Sequence, residues 1–263
     1  MTVDSIPLST ILSMIAEIVF ALAIPLAAII FWKIKSKGSV VPVIGGALTF
    51  IVFAQVLEGI VHAFVLGSQN AFSNLLYSNT VLYALYGGLM AGIFEETGRY
   101  VTMRFVLKNY RSKNDAVSFG LGHGGIECAM VLGLNMAIYF VISLLINSGA
   151  DESVLLAITG GSAETVRMIT EGILSITPAL AAIAIFERIC AMALHLCLSM
   201  VVFAAVKKSL VRYLFAAIFL HFLADFVIVV LSRFAGIYLA EAALAIFVAA
   251  LAYYVFKIKK GEV

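Results

Sequence analysis

The sequence predicts an all-α fold, a polytopic bundle of about seven transmembrane helices, and three observations carry that expectation. The chain is 63% hydrophobic and only 12% charged, with a mean hydropathy of +1.10, whereas soluble domains hold about 25% charged residues. Seven apolar segments reach the ~20 residues a helix needs to cross a bilayer. Lysine and arginine, finally, gather in every second loop. The net charge of +2 is small, so the placement of charges matters more than their sum, and no nucleic-acid partner is expected.

The apolar segments run over about 8–33, 40–66, 79–107, 116–146, 172–206, 210–231 and 236–256. The first ends in lysines and is long, which fits a retained helix and not a cleaved signal. The fifth is too long for one perpendicular span, and Pro178 marks a kinked or interfacial start. Gly45-Gly46, Gly87-Gly88 and Gly124-Gly125 suit close helix packing. The loop around 147–171, with Asp151, Glu152, Glu164 and Glu171, reads as short amphipathic pieces joined by a Gly160-Gly161-Ser162 turn. Cys128, Cys190 and Cys197 fall in apolar helices and are expected as reduced, buried thiols. No linker divides the chain, so residues 1–263 are expected as a single domain with a core at about 79–231.

Direction follows from the basic residues. Lys33, Lys35 and Lys37 follow the first segment. Lys108, Arg111 and Lys113 separate the third from the fourth, Lys207, Lys208 and Arg212 the fifth from the sixth, and Lys257, Lys259 and Lys260 close the chain. The alternate loops hold only Arg167 and Arg233. The N-terminus is therefore expected outside and the C-terminus inside, in a bacterial cytoplasmic membrane.

Ionisable groups at membrane depth are costly and so become functional candidates by default. This chain carries Glu17, Glu58, His62, Glu95, Glu96, Arg99, His123, Glu127, Glu187, Arg188, His195, His221, Asp225 and Glu241 in its apolar segments. At ~1.5 Å per residue from the inner ends, Glu95, Glu96, Glu127 and His195 lie ~16 Å deep, His123 ~11 Å and His221 ~18 Å. Four helices thus bring polar groups to one layer near the middle of a ~30 Å core. Glu58 and His62 fall nearer the outer surface and are weaker candidates.

Helical spacing tells which groups can act together, because residues three or four apart share a face. Arg99 is placed to pair with either Glu95 or Glu96. Those two glutamates point ~100° apart, so only one is expected to face a cavity squarely. His123 and Glu127 are one turn apart with glycines between, and His221 and Asp225 repeat that spacing, the aspartate able to orient the imidazole. Glu187, His195 and Ser199 line one face. Each pair also has a purely structural reading, as a buried ion pair or a helix-bridging hydrogen bond. Glu17 and Glu241 are expected as isolated bundle contacts or interfacial residues.

Two hydrolytic mechanisms use such a set. In one, an ionised glutamate takes a proton from water that attacks a peptide carbonyl, while imidazoles stabilise the oxyanion. In the other, three or four of His123, Glu127, His195, His221 and Asp225 bind zinc, and a glutamate of the third helix is the base. The His-Glu-x-x-His zinc helix is absent, so a metal site has to be assembled from several helices.

Glu95-Glu96-x-x-Arg99, Phe119-x-x-x-His123 and His221-x-x-x-Asp225 together resemble the three signature motifs of the CAAX-protease and bacteriocin-processing superfamily, PrsW-type proteases being more distant relatives. Within it, His123-Gly-Gly-x-Glu127 and Glu187-Arg188 followed by His195 resemble the YhfC family of intramembrane metalloproteases. The resemblance spans about residues 90–230. It implies that the glutamate pair supplies the base, that Arg99 holds it, and that His123 and His221 contact water, metal or oxyanion. Asp225 stands where relatives carry asparagine or an acidic residue. The prenyl-protease branch has one more residue between its glutamates and arginine, so prenylated-substrate specificity is not implied.

The expected activity is an intramembrane endopeptidase acting on a membrane-associated protein or peptide, with catalytic Glu95, Glu96, Arg99, His123, His221 and Asp225. The expected metal ligands are His123, Glu127, His195 and His221. The rival readings are an ion-coupled transporter, which also needs mid-membrane carboxylates and histidines, and an inactive relative serving as scaffold or immunity protein.

Overall fold

The structure, a computed structural model, describes residues 5–68 and 70–261, with the side chains of Glu152 and of residues 256–261 left aside. The ends of the expected 1–263 domain, and the side chains of Lys257, Lys259 and Lys260, thus lie outside the described residues. Ten helices and no strand are found among the described residues. They are α1 (Leu8–Ser36), α2 (Val41–Leu66), α3 (Ala71–Ser78), α4 (Thr80–Val101, continued by a π-helical turn Thr102–Val106), α5 (Lys113–Asn147), α6 (Glu152–Thr159), α7 (Ala163–Ser175), α8 (Pro178–Lys208), α9 (Arg212–Phe234) and α10 (Ile237–Gly261).

Among the described residues, six helices are long and apolar enough to cross a membrane: α1, α2, α5, α8, α9 and α10. The remaining expected segment, α4, is 22 residues long before its π turn, or ~33 Å. Glu95, Glu96 and Arg99, crowded near its end, lower its hydropathy. The expected fifth segment is divided. Residues 172–175 finish α7, and α8 begins afresh at Pro178, where a proline costs no intrahelical hydrogen bond. The expected outer loop at 67–78 contains α3, capped by the Asn70 side chain, and the Asn79 side chain caps α4. All three cysteines are free and buried.

The described chain packs as two compact units. The first comprises residues 1–24 and 128–188. Its core is built on Ile6, Met14, Ile142 and Ile173. It is pinned where Asn147 Nδ2 donates to the Ile6 carbonyl (3.1 Å) and Thr10 Oγ1 to that of Ile176 (3.1 Å). Between α6 and α7, Gly160 takes φ +59° and Ser162 caps α7 through the Thr165 N–H. This is the turn between short helices that the glycines predict.

The second unit, residues 25–127 and 189–263, contains every residue of the expected site except Glu187 and Arg188. Its helices touch backbone to backbone at glycines. A Cβ on Gly46 would fall 2.1 Å from the Phe119 carbonyl oxygen, and one on Gly122 would fall 1.9 Å from that of Val43, so α2 lies against α5. Gly88 and Gly92 bring α4 close to the Phe222 and Ile218 carbonyls of α9, where a Cβ would fall 2.9 and 2.7 Å from the oxygens. Gly120 and Gly124 admit α8 at Leu196 and Met192. Small residues substitute here for the hydrophobic drive that lipid removes. Outward faces carry large exposed apolar side chains such as Leu26, Phe31, Phe64 and Ile246, as a surface solvated by lipid requires.

Candidate active site

Those glycine crossings draw α4, α5, α8 and α9 together around Arg99. Its guanidinium is wholly buried and reaches both neighbouring glutamates, Glu95 Oε2 at 3.4 Å and Glu96 Oε1 at 3.2 Å. It also donates to the His195 carbonyl (2.8 Å), the Ser199 hydroxyl (2.8 Å) and His195 Nδ1 (2.5 Å). An arginine can only donate, so His195 Nδ1 accepts in this arrangement. Its Nε2 faces the Glu127 carboxylate.

The other imidazoles are held by the glutamate pair. His123 Nε2 lies 2.8 Å from Glu95 Oε2, and His221 Nδ1 lies 2.8 Å from Glu96 Oε1. Both carboxylates are thus engaged, each by a different histidine, because their ~100° divergence points them at different helices. The three rings follow one another, His123 to His195 at 5.2 Å and His195 to His221 at 5.3 Å between centroids. Asp225 Oδ2 is 3.6 Å from His221 Nε2. The expected His123–Glu127 partnership within α5 is replaced by partners from other helices. The glycines after His123 admit α8 and, at Gly125, the Pro25 side chain of α1.

Glu95, His195 and His221, all buried, each offer one ligand atom, and these atoms lie within 4.8 Å of one another. The set overlaps the expected ligands at His195 and His221 and takes Glu95 from the expected catalytic group. His123 and Glu127 lie one contact further out. Two imidazoles and a carboxylate are a donor set of catalytic zinc sites. The charge balance points the same way. Buried Glu95 and Glu96 share a single guanidinium, Glu127 and Asp225 add carboxylates beside the histidines, and such an excess of acidic groups over cations favours a compensating metal. By donor type, spacing and charge, the residues fit a divalent metal.

Two further groups complete the picture. Ser199, on the expected polar face of α8, holds Arg99, whereas Glu187 is paired with its neighbour Arg188 in the first unit. Glu58 is buried, 3.1 Å from His62 Nε2, and lies within electrostatic range of Glu95, His221 and Asp225. Depth counting ranks it among the weaker candidates. The signal was the Glu58-x-x-x-His62 spacing, and the structure adds Tyr86, whose hydroxyl meets His62 Nδ1 at 2.9 Å. Glu58 ends the π-helical stretch Phe50–Glu58, and Glu127 directly precedes another, Cys128–Leu134. Such insertions often accompany functional sites. Glu17 and Glu241 are buried as well.

Comparison with known proteins agrees with the geometry. The family described as YhfC intramembrane metalloprotease matches residues 19–251. A Bacillus subtilis (strain 168) protein named "Uncharacterized membrane protein YhfC" is 37% identical over 244 residues, covering 91% of this chain and 93% of that protein. No solved structure matches the chain.

Proposed function

This chain belongs to the YhfC intramembrane metalloprotease family, and on that premise we propose that it is an intramembrane endopeptidase hydrolysing a peptide bond of a membrane-associated protein or peptide. The observation that carries the proposal is the buried convergence of Glu95, His195 and His221 on one point. We assign zinc as the metal those three side chains hold; when bound, it supplies Lewis acidity that acidifies water and polarises a carbonyl.

The chain's own groups then divide the work. Glu96 is the general base. Its Oε1 is tied to His221 and Arg99, while Oε2 is buried with no hydrogen-bond partner among the described residues. Oε2 takes a proton from the attacking water and returns it to the leaving amine, so the carboxylate is regenerated. Through Oε1, Glu96 also fixes the tautomer of His221, leaving Nε2 with a lone pair. His123 positions Glu95, and Arg99 pairs with both glutamates. Asp225 stands on the Nε2 side of His221, beside the position a metal would take, and Glu127 holds His195 through Nε2.

A second, metal-free reading is favoured by one contact, the Arg99 bond to His195 Nδ1, which occupies the lone pair a metal would need there. In that reading Glu95 and Glu96 activate water alone. We also propose the N-out, C-in orientation in a bacterial cytoplasmic membrane, and kinship with the wider CAAX-protease superfamily on the three shared motifs.

The test compares protein termini in membranes carrying the wild-type chain, Glu95→Gln or Glu96→Gln. The wild type should generate termini that both variants lack. Identical termini in all three would sink the peptidase assignment.

A further inference from the structure

Where α8 ends and α9 begins, the second unit holds a cavity of about 160 Å³ that the catalytic groups do not line. Its walls are amphipathic along the helix axes. Lys208, the last residue of α8, Tyr213, in the first turn of α9, and Lys113, the first of α5, line it at the helix ends. Met200, Leu220 and Leu251 line it further in, ~12 Å along α8 and α9 from those ends. Lys208 Nζ sits over the Tyr213 ring, 5.8 Å from its centroid, and Arg212 stacks on the same ring at 5.3 Å. Arg104 adds another cation at this end through its bond to Ser209 Oγ (3.2 Å).

We propose that this cavity binds one anionic phospholipid, its acyl chain between α8, α9 and α10 and its phosphate against Lys208. An apolar cavity excludes water, and left empty it forfeits dispersion contacts along its whole lining. A bilayer offers acyl chains to fill it. The cations at the helix ends then choose the headgroup, because basic pockets between membrane helices recognise anionic lipid. A zwitterionic headgroup would bring its own ammonium against Lys208, Arg212 and Arg104. The site is independent of the peptidase assignment, since none of its residues belongs to the catalytic cluster.

The test is native mass spectrometry of the intact chain released from vesicles of equimolar phosphatidylglycerol and phosphatidylethanolamine. The wild type should retain a single phosphatidylglycerol adduct with a preference of about fivefold or more. Lys208→Arg should keep that preference, Lys208→Glu should abolish it, and Ala204→Trp, which fills the cavity, should lose the adduct. Lys208→Glu changes a half-exposed side chain and so leaves the fold intact. Equal retention of the two lipids by the wild type overturns the proposal, as does a preference that survives Lys208→Glu or disappears equally in Lys208→Arg.

Discussion

Removing the guanidinium of Arg99 is expected to cost this protein more stability than removing any exposed charge. Arg99 is completely buried, pairs with Glu95 and Glu96, and donates to the backbone and ring of His195 and to Ser199. In Arg99→Ala two carboxylates lose their shared counter-charge inside the membrane, and breaking a buried pair costs ~3–5 kcal/mol. Arg99→Lys keeps the charge, but one ammonium with three donors cannot reach every acceptor. The loss of about two hydrogen bonds should then cost ~2 kcal/mol. Trp32 is the chain's sole tryptophan, and its indole donates to Ser118 Oγ at 3.2 Å, so its fluorescence reports unfolding of the second unit. Denaturant titration in mixed micelles should rank the variants wild type, Lys, then Ala. Arg167→Ala is the control. Arg167 is exposed and bonds Glu164, whose carboxyl it holds below the usual range, and its loss should leave the midpoint unchanged, as exposed pairs contribute little. An Arg99→Ala midpoint matching that of Arg167→Ala would refute the reasoning.

Three other outcomes follow. Gly92→Val should destabilise the protein strongly, because a Cβ there meets the Ile218 backbone oxygen at 2.7 Å, whereas Gly87→Ala, with nothing within 4 Å, should be tolerated; thermal unfolding of the two variants reads the difference. Glu95→Gln and Glu96→Gln should separate in metal analysis. The former should lower metal affinity by ~10-fold or more and the latter should keep metal while losing cleavage, with Glu96 acting as base and second-sphere partner; equal metal loss in both would reassign Glu96 as a ligand. A reporter fused after Val263 should be active only in the cytoplasm, and a cysteine at Ser162 should react with impermeant thiol reagent from outside; the opposite pattern would reverse the proposed orientation.

Much of this architecture is written in the chain locally. Apolar runs of bilayer length mark six of the helices, and the Gly160-Gly161-Ser162 turn names its own φ and cap. Proline at 178 marks where α8 begins, although continuous hydrophobicity across 172–206 hid the break before it, since hydropathy does not register a single-residue change in backbone direction. For the candidate site, depth counting and the i,i+4 rule singled out residues that the structure brings together, but not the pairings. His123 bonds Glu95 and not Glu127, and His195 joins Arg99 to Glu127, because glycines on three helix crossings set which faces meet. Those crossings are long-range facts that no window along one helix contains.

The central claim is that Glu95, His195 and His221 form the metal centre of a hydrolytic site, and it is tested most directly by metal content and peptide cleavage measured on one preparation. About one zinc per chain is expected, lost in His195→Ala and His221→Ala together with cleavage. Zinc-free protein that cleaves at the full rate in chelator would contradict it.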